Sequence, residues 1–202
     1  MIVIIDYGMG NLRSVQKAFQ KVGYETEITT SAQRVHDASA VVLPGVGAFG
    51  EAMSNLDRAG LTPVLRQAAA SKPFLGICLG QQLLFEQSEE MGAFEGLGIL
   101  PGKVVRFNGP LKVPHIGWNQ IHQVQPSAIL AGVAGDGFAY FVHSYYVVPS
   151  DPSIIVATTD YDISFASIVG RDHLYGLQFH PEKSQKVGLT MLANFAALAG
   201  QP

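Results

Sequence analysis

Short apolar runs alternate with amphipathic stretches along the first half of the chain. Uninterrupted apolar runs, typical of parallel strands buried on both faces, lie at 2–5, 40–43 and 74–77, and a further strand-like alternation lies at 24–29. Helical periodicity predicts helices at 12–22 (capped by Asn11 and ended by Gly23), about 51–58 and 62–71. This order predicts an α/β fold with a mostly parallel central sheet flanked by helices. Such sheets bind ligands at the carboxyl ends of their strands.

The second half of the chain is richer in strands. Runs of β-branched and aromatic residues predict strands at 103–107, 118–124, 140–148, 154–159, 166–169 and 174–179. A helix at 184–198 closes the chain. Because no repeat, low-complexity tract or linker interrupts the sequence, we expect a single domain spanning 1–202.

The only cysteine lies in the sequence Gly76-Ile77-Cys78-Leu79-Gly80. This Gly-x-nucleophile-x-Gly pattern is typical of a sharp turn from a strand into a helix, here predicted at 81–86. At a helix N-terminus the dipole favours a thiolate, and the N–H of Leu79 would point at an oxyanion. A lone cysteine is more often a small buried hydrophobe, but the flanking glycines favour a nucleophile here.

The loop at 45–50 matches Gly-x-Gly-x-x-Gly after a strand. A dinucleotide site is a weak interpretation, because this strand is not the first of the sheet and no acidic residue follows at about twenty residues. A better use is to present backbone N–H groups to a carbonyl oxygen beside Cys78. The alternative is a tight turn without a ligand.

A histidine is predicted at the same sheet edge as Cys78. It lies in Gln178-Phe179-His180-Pro181-Glu182, where a strand ends. Glu182 could fold back across the proline to the second ring nitrogen, which would supply a base and its orienting group. The other histidines, at positions 36, 115, 122, 143 and 173, are expected to be structural, and no pair of them with Cys78 has zinc-ligand spacing.

Composition limits the classes of function. The 202 residues are 48% hydrophobic and 14% charged, as in a compact globular enzyme, and the net charge of −3 argues against a nucleic-acid partner. One cysteine excludes an internal disulfide framework and fits a reducing compartment. The N-terminal run is a strand and not a signal peptide, and no apolar stretch is long enough to span a bilayer. We therefore expect a cytoplasmic protein.

Several motifs carry a resemblance to a known family. Gly-Ile-Cys-Leu-Gly-Gln-Gln at 76–82 and His-Pro-Glu at 180–182 resemble the class I (triad) glutamine amidotransferases, over the whole chain. Within that family, this sequence is similar to the glutaminase subunits of imidazole glycerol phosphate synthases at 6–11, 44–49, 114–119 and 141–145. The resemblance implies the flavodoxin-like fold of the class and no cofactor.

The resemblance also implies roles for individual residues. Cys78 would be the nucleophile, His180 the base and Glu182 its orienting carboxylate. Backbone N–H groups of Leu79 and of the Val46–Gly47 loop would form the oxyanion hole. Residues implied to hold the amino-acid end of L-glutamine are Gln82, Glu90, His143, Ser144 and Tyr145. A carboxylate at Glu90 suits the substrate ammonium, although from the residues alone a solvated surface charge is as good an interpretation.

The edge of the sheet at which Cys78 lies is also the expected docking face for a partner. Ammonia released into water is protonated and ceases to be a nucleophile. A synthase can therefore use the ammonia only if this edge is sealed against water. The resemblance implies a heterodimer with a cyclase subunit, a (β/α)-barrel, and weak hydrolysis until that partner binds its ligand. Residues expected at the rim are Asn11, Trp118 and Lys183; the alternative for Trp118 is a place in the core.

Three other interpretations remain open. Another glutaminase of the class could serve anthranilate, guanylate, carbamoyl phosphate or pyridoxal phosphate synthesis. The triad does not separate these glutaminases, but the stretches at 44–49 and 115–119 do. A non-catalytic binding subunit would not need Cys78, His180 and Glu182. A cysteine hydrolase or peptidase would be acylated by a peptide and not by glutamine.

Overall fold

The computed structural model describes residues 1–133, 135 and 137–200. Fourteen strands are formed within these described residues: β1 Ile2–Ile5, β2 Thr26–Thr29, β3 Ala40–Gly45, β4 Phe74–Cys78, β5 Phe85–Ser88, β6 Phe94–Glu95, β7 Leu100–Arg106, β8 His115–Gln120, β9 His122–Gln123, β10 Phe138–His143, β11 Tyr145–Pro149, β12 Ile155–Tyr161, β13 Ile163–Arg171 and β14 Leu174–Leu177. The α-helices within the described residues are α1 Leu12–Lys21, α2 Ala32–Asp37, α3 Phe49–Arg58, α4 Thr62–Ser71, α5 Leu79–Leu83 and α6 Gln185–Leu198. Short 3₁₀ turns lie at Ala128–Leu130, Pro152–Ile154 and Pro181–Lys183.

An eight-stranded sheet forms the centre, in the order β2-β1-β3-β4-β14-β13-β12-β9. The strands from β2 to β14 are parallel, and β13, β12 and β9 continue the sheet in antiparallel fashion. Two smaller sheets, β10-β8 and β11-β7-β5-β6, accompany it. The prediction of a mostly parallel central sheet with a strand-rich second half is confirmed.

Burial on both faces explains the unbroken apolar runs. Val3 and Ile5 belong to one apolar cluster and Ile2 and Ile4 to another. Because adjacent side chains of a strand point to opposite faces, β1 needs apolar residues at every position. Among the described residues no helix is both long and apolar enough to cross a membrane.

Tertiary contacts correct the predicted helix after Cys78. The helix ends at Leu83, and Phe85 begins a strand. The carbonyls of Leu83 and Leu84, which a longer helix would use, accept backbone N–H groups from Leu97 and Ile99. These bonds satisfy both carbonyls without a longer helix. Tertiary contacts therefore override the helical preference of the following residues.

Two predicted strands are each divided in the structure. The segment at 140–148 breaks at Ser144 into β10 and β11, which lie in different sheets, and the segment at 118–124 breaks at Ile121 into β8 and β9. Helix α2 was not predicted. Asn11 occupies the N-cap of α1, but its side chain makes no capping hydrogen bond.

Candidate active site

Three parallel strands end together at one edge of the central sheet. Gly45 at the end of β3 is opposite Cys78 at the end of β4, and Leu177 at the end of β14 is opposite Ile77. Gln178 therefore follows at the level of Cys78. This edge is where the sequence predicted the ligand site.

Cys78 occupies a strained turn that only glycine neighbours permit. Its φ is 56° and its ψ is −113°, values that L-residues rarely adopt. A Cβ on Gly80 would lie 1.7 Å from the Leu43 carbonyl oxygen, and one on Gly76 would lie 2.5 Å from the Gly80 oxygen. The two glycines thus allow the close approach that directs the cysteine outward. Since α5 has only 5 residues, the helix dipole contributes less than the sequence suggested.

A pocket of about 300 Å³ opens over the Cys78 sulfur. It is lined by Val46, Gly47, Cys78, Leu79, Gln82, Glu90, Pro114, Val142, His143, Ser144, Tyr145 and His180. Within this set, all residues except Pro114 and Val142 were proposed for the site from the sequence. The Cys78 Sγ itself lies 4.0 Å from the Val142 carbonyl oxygen and 4.0 Å from the Gln178 amide nitrogen.

His180 and Glu182 form a buried pair beside this pocket. The Nδ1 of His180 lies 2.9 Å from Oε1 of Glu182, and the side chains are 3% and 1% exposed. Burial lowers the pKa of His180, but the Cys78 sulfur and the Glu182 carboxylate favour the imidazolium and raise that pKa to about 10. The second ring nitrogen, Nε2, is buried and has no hydrogen-bond partner among the described residues. It is therefore available to exchange a proton.

The backbone around His180 is held by the small β10-β8 sheet. The His180 N–H donates to the Tyr140 carbonyl at 3.0 Å, and the Tyr140 N–H donates to Ser184 Oγ at 3.0 Å. The Ser184 hydroxyl in turn donates to the His180 carbonyl at 2.6 Å. This closed set of bonds fixes the histidine relative to β10.

Tyr7 is hydrogen-bonded to the end of β3. Its hydroxyl donates to the Pro44 carbonyl at 2.9 Å, and burial together with the nearby Cys78 raises the pKa of Tyr7 far above its ordinary value. A Cβ on Gly45 would lie 2.6 Å from this hydroxyl, and Gly47 has a φ of +98°. Sequence reasoning did not name Tyr7 as a site residue; its signals were its place in the loop after β1 and within the 6–11 stretch of the family resemblance.

Glu90 faces the pocket and is half-buried. Its Oε2 accepts the backbone N–H of Phe49, the first residue of α3, at 2.7 Å. An anion at a helix N-terminus is stabilised by the dipole and the unpaired N–H groups. The interpretation of Glu90 as a freely solvated surface charge is therefore not supported.

His143 lines the pocket, but both of its ring nitrogens contact protein atoms. Its Nδ1 lies 2.8 Å from the Tyr145 carbonyl oxygen, and its Nε2 lies 3.0 Å from Nδ1 of His115. Burial lowers the pKa of His143 to about 3 and that of His115 to about 4, so both rings are neutral at pH 7. Only the backbone of His143 and the face of its ring remain for a ligand.

The predicted rim residues lie outside the pocket. Trp118 is 47% exposed, so the alternative that it is a core residue is wrong. Its ring packs edge-on against Tyr140 at 6.1 Å, and the Lys183 ammonium lies 5.7 Å from the Tyr140 ring centroid. Asn11 is also exposed, at the start of α1, which contacts the 181–183 turn.

Comparison with known sequences identifies the family. The family profile described as "Glutamine amidotransferase class-I" matches residues 3–198. The chain belongs to this family.

Relatives of this amidotransferase carry a more specific name. A protein of Syntrophotalea carbinolica named "Imidazole glycerol phosphate synthase subunit HisH" is 55% identical over 203 residues, which cover 96% of this chain and 98% of the relative. A protein of the same name from Desulfitobacterium hafniense is 50% identical over 196 residues, covering 96% and 93%. A solved structure titled "Crystal structure of glutamine amidotransferase" superposes with a TM-score of 0.78 at 18% identity, over 100% of both chains. The last likeness supports the fold.

Proposed function

We propose that this amidotransferase is the glutaminase subunit of an imidazole glycerol phosphate synthase, built as a single domain. It hydrolyses L-glutamine and passes the ammonia to a cyclase subunit. The observation that carries the proposal is the juxtaposition of Cys78, His180 and Glu182 beside one pocket at the strand ends. The name and near full-length match of relatives about 50% identical support the subfamily.

The buried pair accounts for covalent chemistry at Cys78. The thiol proton passes to Nε2 of His180, and the sulfur attacks the side-chain amide carbon of glutamine. The imidazolium then gives its proton to the departing ammonia, which leaves a glutamyl thioester. Water, deprotonated by His180, hydrolyses the thioester to glutamate and restores the thiol. Glu182 holds the ring and stabilises its charged form.

The pocket walls supply the remaining interactions. The N–H of Leu79 and one from the Val46–Gly47 loop stabilise the oxyanion formed in each step. Glu90 takes the substrate ammonium, which its half-buried carboxylate suits. The Gln82 carbonyl oxygen and the backbone of 143–145 receive the rest of the amino-acid end.

The partner is a (β/α)-barrel cyclase in a heterodimer. It adds ammonia to a phosphoribulosyl-formimino carboxamide ribonucleotide and produces imidazole glycerol phosphate and aminoimidazole carboxamide ribonucleotide in histidine biosynthesis. Trp118, Lys183 and Asn11 lie at its contact surface. A large exposed aromatic beside cationic and polar groups suits an interface anchor with a polar rim.

Glutamine hydrolysis measured with and without the cyclase and its nucleotide ligand tests this proposal. We expect weak hydrolysis alone and strong stimulation by the liganded cyclase. Parallel assays would use the synthase subunits for anthranilate, guanylate, carbamoyl phosphate and pyridoxal phosphate. Stimulation by one of those, with none by the cyclase, would overturn the subfamily assignment and leave the glutaminase chemistry standing.

A further inference from the structure

A buried amide lies beside the Cys78 sulfur and has no role in the mechanism above. Gln178 follows β14 and is 0% exposed. Its Nε2 donates toward Sγ of Cys78 at 4.0 Å, and its Oε1 accepts from Nε2 of Gln82 at 3.1 Å. A side-chain amide buried at this cost is expected to use both of its ends, and here one end contacts the nucleophile.

The orientation of the Gln178 amide is set by neighbours whose own roles as hydrogen-bond donor or acceptor are fixed. A backbone carbonyl can only accept hydrogen bonds, and that of Tyr145 receives the Gln82 amide nitrogen at 3.0 Å. Gln82 therefore presents N–H groups and not oxygen to its neighbours. Gln178 must then turn its oxygen toward Gln82, which leaves its N–H group facing Cys78. The reverse orientation would oppose two N–H groups and place an oxygen against the sulfur.

The Tyr145 carbonyl also accepts the last bond of a second series of hydrogen bonds, which begins on β8. The Asn119 amide nitrogen lies 3.2 Å from Nε2 of His115, so that nitrogen accepts and Nδ1 of His115 carries the hydrogen. Nδ1 of His115 donates to Nε2 of His143 at 3.0 Å, and Nδ1 of His143 donates to the Tyr145 carbonyl at 2.8 Å. Every donor thus points toward the Tyr145 carbonyl, which fixes one tautomer for each ring.

The two contacts of Cys78 favour opposite protonation states. A thiol can donate to the Val142 carbonyl, which lies 4.0 Å from the sulfur, and loses that bond on ionisation. The Gln178 N–H group, in contrast, bonds more strongly to a thiolate than to a thiol. The amide therefore favours the reactive form and contacts the sulfur at the pocket lining.

We propose that Gln178, oriented by Gln82 and the Tyr145 carbonyl, is a positioning residue that holds Cys78 and stabilises its thiolate. The inference rests on the proposed function only in taking Cys78 as the nucleophile. It adds to the triad a fourth side chain, which comes from the same segment after β14 as His180. Its effect acts through the sulfur and needs no contact with glutamine.

The test measures alkylation of Cys78 by iodoacetamide as a function of pH, in the full chain without substrate. Gln178→Leu removes the N–H donor, and Gln178→Glu keeps the acceptor toward Gln82 while placing oxygen against the sulfur. In both variants we expect the pH midpoint of alkylation to rise by about one unit, with alkylation about tenfold slower at neutral pH. Gln82→Met, which releases the orientation of Gln178, should shift the midpoint in the same direction by less.

Gln81→Leu is the matched control. Gln81 is as buried as Gln178 and lies next to Gln82 on α5, but neither polar atom of its side chain has a hydrogen-bond partner among the described residues. We expect its alkylation profile to match the parent. An unchanged midpoint in folded Gln178→Glu, or an equal shift in Gln81→Leu, would overturn the proposal. Glutamine hydrolysis by the parent chain with cyclase tests the proposed function separately, since alkylation does not depend on it.

Discussion

The backbone carbonyl of Tyr140 accepts a 3.0 Å hydrogen bond from the N–H of His180. The ring of Tyr140, in turn, contacts both the exposed Trp118 and the ammonium of Lys183. A single residue of β10 therefore contacts the proposed base through its backbone and the proposed docking surface through its side chain. A partner that binds at Trp118 would therefore contact the neighbour of Tyr140, and the Tyr140 carbonyl is hydrogen-bonded to His180.

Trp118→Ala and Lys183→Ala should each weaken cyclase binding or the stimulation of glutaminase activity, because both remove contacts at this surface. The free variants should stay folded, since Trp118 is 47% exposed. The measurement is glutaminase activity titrated with cyclase and its nucleotide ligand. Leu198→Ala, an exposed apolar position at the far end of α6, is the control. Full stimulation with unchanged complex formation in both variants would place the docking face elsewhere.

Cys78→Ala should lower glutamine hydrolysis by about 10⁴-fold or more, because no other group in the pocket can form the thioester. The melting temperature should change little, since the substitution is small. A glutamine-analogue electrophile should label the parent at Cys78 and leave the variant unlabelled. Normal turnover by Cys78→Ala is the result that would rule out the covalent mechanism.

His180→Ala should slow thioester formation by at least about 10³-fold, since no other described residue is placed to take the thiol proton. Glu182→Gln should cost less, because it removes orientation and charge but keeps the base. Rapid-quench trapping of the acyl-enzyme separates this step from hydrolysis of the thioester. Equal and negligible effects of both substitutions would contradict the assignment of the triad.

Gly47→Val should lower kcat by roughly 100-fold while KM stays nearly constant, if the loop N–H stabilises the oxyanion. A Cβ at Gly47 would lie 2.6 Å from the Met9 methyl carbon, at a φ of +98°. Gly60→Val is the matched control, because Gly60 also has a positive φ, of +67°, but has nothing within 4 Å of its Cβ position. Steady-state kinetics of both variants with cyclase decide between an oxyanion loop and a plain turn.

The buried histidines should make the fold sensitive to acid. The unfolded chain takes up protons near pH 6.5, whereas folded His115 and His143 do so only near pH 4 and 3. The contribution of these two rings to stability is therefore full above about pH 6.5 and is lost as the pH falls toward their folded pKa values, by up to about 1.4 kcal/mol per pH unit for each ring.

Urea unfolding between pH 7 and pH 4 measures this dependence. His115→Phe keeps the stacking on Tyr161 but does not titrate, so its stability should fall less steeply than that of the parent. His36→Gln, at an exposed position, should keep the parental slope. A parental slope in His115→Phe would show that the ring is not buried neutral.

The parts of the site that adjacent residues define were predictable from the sequence. Gly76 and Gly80 around Cys78 indicate the turn because steric exclusion of a Cβ is a local effect, and Glu182 reaches His180 across only one proline. The parallel strands were equally visible, because burial on both faces requires unbroken apolar runs such as Ile2–Ile5. These features depend on short stretches of chain.

Features set by distant partners were not predictable in this way. Helix α5 ends early because Leu97 and Ile99 donate to the carbonyls of its last residue and of Leu84, and nothing near Leu83 in the sequence indicates this. Tyr7 and Gln178 contact the site through folding, and neither carries a motif of its own. His115 and His143 lie 28 residues apart in the sequence, so their pairing follows from the register of β8 and β10.

The solitary thiol also has a consequence for oxidative damage. Cys78 is the only cysteine in the chain, so a sulfenic acid formed on it by peroxide has no second thiol with which to close a protective intramolecular disulfide. Oxidation can then proceed to the irreversible sulfinic acid unless an external thiol such as glutathione reaches the pocket. A bound partner that seals the pocket against loss of ammonia would at the same time keep peroxide from the sulfur.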